Sequence, residues 1–127
     1  MPVKIVDASV IAAYCFREPR HEEALNLING AELHAPALLY YELTSVARRK
    51  TNEQPGKTQT FRAALGEAFS IPVQLDDIDH FAVLDTADFA NITTYDACYL
   101  YLSIKLGAEL LTFDKELAKI ARSLKNP

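Results

Sequence analysis

Two rhythms of apolar residues run along the chain. Residues 3–6 are a β-branched run that stops at Asp7, and residues 8–16 are an Ala-rich apolar stretch suited to a buried helix. Residues 21–29 place Leu25 and Ile28 on one helical face before Asn29 and Gly30 end the segment. A short strand is expected at residues 33–35. Pro36 then opens a longer helix over residues 37–50, in which Leu38, Leu39, Glu42, Leu43 and Val46 share one face. The polar stretch 51–57, with Pro55 and Gly56, reads as a turn to a further helix at residues 58–69. Residues 71–75 alternate as a strand does, and Asp76 or Asp77 is expected to cap a helix reaching Phe89. Thr93 or Thr94 caps the next, residues 95–106, which is apolar nearly all round and ends at Gly107. A last strand, residues 110–113, leads through Asp114 into a final helix over residues 115–124.

Four short strands separated by helices, with no hairpin signal between them, predict an α/β fold with a short, mostly parallel sheet and helices on both faces. In such a sheet the strand-to-helix junctions lie on one edge, where ligands bind. Asp7 and Asp114 end strands, and Glu42 lies in the second helical turn after one. Asp96 follows a helix-to-helix loop, so the edge rule does not place it. It nonetheless stands in the first turn of a nearly apolar helix, where a charge requires a partner.

Taken singly, each acid also has a structural reading. Asp114 can be an N-cap, Asp96 a first-turn acid favoured by the helix dipole, and Asp7 the close of a turn. Glu42, on an apolar stripe, calls for a specific partner such as Arg48 or Lys50. Asp76, Asp77, Asp79, Asp85 and Asp88 read as caps and surface. Jointly the first four are more informative. Two carboxylates about 4 Å apart repel by roughly 4 kcal/mol at an effective dielectric near 20, so converging carboxylates require protonation or a cation. Oxygen ligands without His or Cys suit Mg²⁺ or Mn²⁺, and such a site suits phosphoryl chemistry.

Composition changes this picture little. The 127 residues are 50% hydrophobic and 24% charged, as befits one folded unit over residues 1–127, and no uncharged apolar run is long enough for a membrane span. Asp7 interrupts the N-terminal apolar stretch, so a signal peptide is not expected. Cys15 and Cys98 read as buried thiols of a cytoplasmic protein. The 17 Asp and Glu against 13 Lys and Arg give a net charge of −4, which at first argues against a nucleic-acid partner.

Val6-Asp7-Ala8-Ser9, Tyr41-Glu42-Leu43, Thr93-Thr94-Tyr95-Asp96-Ala97 and Leu111-Thr112-Phe113-Asp114-Lys115-Glu116-Leu117 resemble the four acidic motifs of PIN-domain ribonucleases, in particular the VapC toxin group. The likeness spans essentially the whole chain, in the right order. It implies a three-layer sandwich in which the Asp96 helix lies beside the same crevice. It also implies that Asp7, Glu42, Asp96 and Asp114 are catalytic, metal-binding carboxylates, with Ser9 and Thr112 as supporting hydroxyls. The implied function is Mg²⁺-dependent (or Mn²⁺-dependent) cleavage of RNA by a metal-activated water, leaving a 5′-phosphate. The implied partners are a VapB-like antitoxin and a second copy of the chain in a homodimer. Arg48, Arg49, Lys50 and Lys115 are the basic residues expected to meet RNA phosphates, with Arg17 and Arg20 secondary. His21, His34 and His80 read as structural. With the four acids assigned to the site, the other acids balance the 13 Lys and Arg; RNA binding is then expected to need divalent metal.

An RNA-processing nuclease and a non-catalytic PIN-like module are the alternatives within this fold. A response-regulator receiver domain is a more distant rival. It needs an acceptor aspartate on the middle strand, and residues 50–69 contain no Asp.

Overall fold

A computed structural model describes residues 1–125. Strands β1 (Val3–Val6), β2 (Glu32–Ala35), β3 (Gln74–Leu75) and β4 (Glu109–Leu111) pair in the order β3-β2-β1-β4. Every pairing is parallel, and Ile5 stands in register with His34 on one side and Leu110 on the other. Parallel neighbours need long crossovers, here supplied by helices. These are α1 (Ala8–Cys15), α2 (His21–Ile28), α3 (Leu38–Glu53), α4 (Thr58–Ser70), α5 (His80–Ala90), α6 (Thr94–Leu106) and α7 (Lys115–Lys125).

The strand order positions the site. From β1 to β3 the chain steps one way across the sheet, and from β3 to β4 it steps back beyond β1. Because such crossovers are right-handed, the reversal moves the connecting helices to the opposite face. Accordingly α1 packs on α2, α3 and α4, whereas α6 packs on β1, β4, α5 and α7. β1 and β4 are therefore neighbours whose following segments leave toward opposite faces. The crevice this opens lies at their C-terminal ends.

Burial explains why the two innermost helices carry residues of modest helix propensity. Val10, Ile11, Ala12, Ala13 and Cys15 of α1 are buried, as are Ala97, Cys98, Tyr99, Leu100 and Leu102 of α6. Each fully buried Val, Ile or Leu contributes about 1.5–3 kcal/mol, which outweighs a propensity deficit of a few tenths. Gly107, at φ 61°, ends α6 in the left-handed conformation, and the Ser103 hydroxyl in the last turn donates to the Ala108 carbonyl at 2.6 Å. Both cysteines are buried free thiols. Among the described residues no helix is long and apolar enough to cross a membrane.

Three local expectations change. The cap of α5 is Asp79, whose carboxylate accepts from the Phe81 and Ala82 N–H groups; Asp76 instead holds His34 Nδ1 at 2.6 Å. The third strand shrinks to Gln74–Leu75, the two residues that pair with His34 and Ala35 of β2. The fourth ends at Leu111, so Thr112 and Phe113 lie in the junction, where their backbone and side chains serve the crevice.

Candidate active site

Asp7 extends the β1–β4 ladder by one bond, its N–H donating to Leu111 O at 3.1 Å, and then caps α1. Its side chain is 7% exposed. Oδ1 accepts from the Ser9 hydroxyl at 2.6 Å, the Ser9 N–H at 3.0 Å and the Val10 N–H at 3.4 Å. Oδ2 accepts from the Thr112 hydroxyl. Each hydroxyl gives its one proton to Asp7 and accepts a backbone N–H from the β4–α7 junction: Phe113 N–H onto Ser9 at 2.9 Å, Asp114 N–H onto Thr112 at 3.1 Å. Ser9 and Thr112 thus tie the two junctions together through one carboxylate. Burial pushes the Asp7 carboxyl above its usual range, and these hydrogen bonds pull it back only in part.

Glu42 is half-buried on α3. Its partner is the Tyr99 hydroxyl, which donates to Oε1 at 2.5 Å, and neither Arg48 nor Lys50 reaches it. Burial raises its carboxyl, the Tyr99 bond opposes this, and the charges of Asp7 and Asp96 raise it further. The Tyr99 hydroxyl is itself driven far up by burial and then by Glu42, so it remains a donor. Asp96 enters through α6, whose first turn is fixed by Thr93: its hydroxyl accepts the Asp96 N–H at 3.1 Å. Burial raises Asp96, and the charge of Asp114 adds to the effect. Asp114 is exposed and accepts the Leu117 N–H at 3.1 Å, as an N-cap does.

The four acids are thereby electrostatically linked, Asp7 and Asp96 to Glu42 and Asp114 to Asp96. Among the described residues none of the four is ion-paired, whereas Glu18, Glu23, Glu32, Glu67, Asp76 and Glu109 all are. Nor do any three His, Cys, Asp or Glu side chains among them stand close enough to form a ready-made metal cage. An all-oxygen, uncompensated set that offers few ligands at once fits Mg²⁺, which keeps several waters and binds through one or two carboxylates.

Beside these acids opens a cleft of about 900 Å³, lined by Ser9 and Ala12 of α1, Tyr41, Glu42, Ser45 and Arg49 of α3, Arg20, Tyr95 and Phe113 among others. Arg20 lies 3.7 Å above the Phe113 ring and also binds Glu23. Of the four basic residues singled out in the sequence, Arg49 lines this cleft. Arg48, one residue earlier, faces a different hollow with Thr44 and Arg62, as 100° of helical rotation requires. Lys50 pairs with Glu18 at 2.8 Å, and Lys115 is exposed beside Asp114. His34 sits between Glu32 and Asp76, and His21 stacks on Tyr14, both away from the acids.

Tyr99 is a residue of the site that the sequence pattern alone did not single out. One signal was available: it lies three residues after Asp96, on the same helical face as a candidate acid, and carries a polar tip that must find a partner when buried.

Comparison with known proteins bears on the family and the fold. A family model described as the PIN domain matches residues 4–123. Ribonuclease VapC3 of Pyrobaculum aerophilum is 33% identical over 129 aligned positions, covering 97% of this chain and 98% of its own. The crystal structure of PAE2754 from Pyrobaculum aerophilum superposes with a TM-score of 0.77 at 22% identity, over 98% of this chain and 93% of that one; at this identity it speaks for the fold.

Proposed function

The chain belongs to the PIN-domain family, in its VapC group, and on that premise we propose that it is a divalent-metal-dependent endoribonuclease, the toxin of a toxin–antitoxin pair. The observation that carries this reading is the electrostatic coupling of Asp7, Glu42, Asp96 and Asp114, with Glu42 in the wall of the cleft and, among the described residues, no cation paired with any of the four. These four residues would hold Mg²⁺ or Mn²⁺, which when bound polarises a phosphodiester and makes hydroxide available near neutral pH.

The chain's own residues supply positioning. Ser9 and Thr112 fix both oxygens of Asp7, and Tyr99 fixes Glu42, so that two of the four carboxylates are held before any ligand arrives. Arg49 and Arg20 stand in the cleft wall to receive the phosphates on either side of the scissile one. No His lines this cleft among the described residues, so acid–base work is not assigned to an imidazole.

A VapB-like antitoxin covering the cleft, a homodimer and a cytoplasmic location complete the proposal. The exposed Phe81, Leu84 and Phe89 of α5 supply apolar area for the second copy. The test is incubation of the purified chain with RNA, with Mg²⁺ and with EDTA. Cleavage leaving 5′-phosphate ends is expected in Mg²⁺ and none in EDTA. Cleavage that persists in EDTA, or that Asp7→Asn leaves undiminished, overturns the reading.

A further inference from the structure

Two tyrosines in the site are left open to solvent. Tyr41 is 73% exposed and Tyr95 is 63% exposed. Each directly precedes an acid of the site, Tyr41 before Glu42 on α3 and Tyr95 before Asp96 on α6. Both rings line the 900 Å³ cleft, and both also line a second hollow of about 700 Å³. With Leu38, which lines both as well, they form the ridge between the two. Neither ring takes part in an aromatic stack or a cation–π contact within the described residues, whereas Phe113, the other ring of the cleft, is already covered by Arg20.

We propose that Tyr41 and Tyr95 are base-stacking residues that hold the nucleotides on either side of the scissile phosphate. This rests on the ribonuclease reading and names two residues that position its substrate. Successive residues of a helix point about 100° apart, so each helix presents a ring and a carboxylate as diverging neighbours. A nucleotide likewise presents its base and phosphate as diverging groups. A phosphate at the acids therefore carries its base toward a ring of the ridge. Bases in a duplex are occupied by one another; only splayed bases offer a free face. Stacking on an aromatic ring accepts any base, so these residues hold the strand without selecting its sequence. The ridge's continuity with the acids, and Arg49 in the same cleft wall for a phosphate, favour a nucleotide chain over a peptide as its occupant.

The experiment compares kcat/KM of the parent with Tyr41→Ala, Tyr95→Ala and the two Tyr→Phe variants. The substrate is a short single-stranded oligoribonucleotide with a mapped cleavage site, alongside the same oligonucleotide made abasic on either side of that site. Each Ala variant should lose roughly 5- to 100-fold on the base-bearing strand. Each Phe variant should keep the parent's rate, and on the abasic strand Ala and parent should coincide. Equal losses on both strands, or no loss, overturn the proposal. If the parent cleaves nothing, the ribonuclease reading fails separately, and binding still decides the stacking. The chain has six Tyr and no Trp, so the same strand titrated in Ca²⁺ should quench tyrosine emission, and the abasic strand should not. Absence of that difference overturns the proposal, as does an Ala variant whose only loss is binding to a protein partner.

Discussion

Asp7 and Asp114 begin from the same local design. Each follows a strand of the same parallel pair, and each caps the helix that comes next. Yet Asp7 is buried under two hydroxyls and two N–H groups, while Asp114 is exposed and receives one N–H. The difference comes from sheet order. β1 is an inner strand, so its junction is flanked by the β4 junction, which contributes Thr112; β4 is an edge strand and its junction opens to water. The other two acids divide in the same way, Glu42 held by Tyr99 and Asp96 set in its turn by Thr93. One side of the cleft is thus built in advance, and the other is left for water and ligand. Similar strand-Asp-helix arrangements acquire different chemistry from their neighbours in the sheet.

The largest expected effect sharpens this contrast. Asp7→Asn should lower RNA cleavage on the order of 10³-fold or more with a melting temperature within about 5 °C of the parent. Asp114→Asn should cost about 10- to 100-fold and recover much of it at raised Mg²⁺. Equal, Mg²⁺-insensitive losses in both variants would remove the distinction. Next, Tyr99→Phe keeps the ring in the core and deletes only the donor to Glu42. A 10- to 100-fold rise in the Mg²⁺ needed for half-maximal rate is expected, and an unchanged requirement would make Tyr99 a core residue alone.

Much of this was legible in the chain. Strands ending at Asp7 and near Asp114, and the glutamate on the α3 stripe, follow from periodicity and the edge rule. Asp96 did not follow from them, because a helix-to-helix loop carries no edge rule; family resemblance located it. The cap of α5 was misplaced by two or three residues because Asp76 is diverted to His34, a contact across 42 residues that no local pattern reveals. Tyr99 was hidden for the same reason, its hydroxyl meeting Glu42 across 57 residues. Local patterning reads faces; it does not read which faces meet.

Two smaller effects complete the comparison. Arg49→Ala should weaken RNA affinity several-fold and flatten its salt dependence by about one unit of slope, whereas Arg48→Ala, facing another hollow, should do less; a filter-binding series in KCl distinguishes them. The smallest effect is on stability. Burial raises Asp7, Glu42 and Asp96, so the folded chain holds protons that the unfolded chain has released. Metal-free stability is therefore greatest at low pH and is lost as pH rises, from the ordinary values of 3.8 for Asp and 4.5 for Glu up through the raised ones. Thermal melts in EDTA should show this decline, and Mg²⁺ should reduce it. His34, which burial lowers and its bonds to Glu32 and Asp76 raise to a net increase, acts in the same direction at higher pH but is indifferent to Mg²⁺. A decline that Mg²⁺ does not touch would assign the effect to His34 and not to the acids.

The hydroxyl bridge from Thr112 to Asp7 spans 105 residues, and this imposes an order on biosynthesis. A nascent chain that ends before β4 already contains Asp7, Glu42 and Asp96, but Asp7 lacks Thr112, the β1 edge lacks its partner, and Asp114 has not been made. Chains fold from the N-terminus as they emerge, so the acidic centre is completed only once β4 and Asp114 have been made. A nascent chain that has not yet presented β4 and the junction after it therefore carries an incomplete centre.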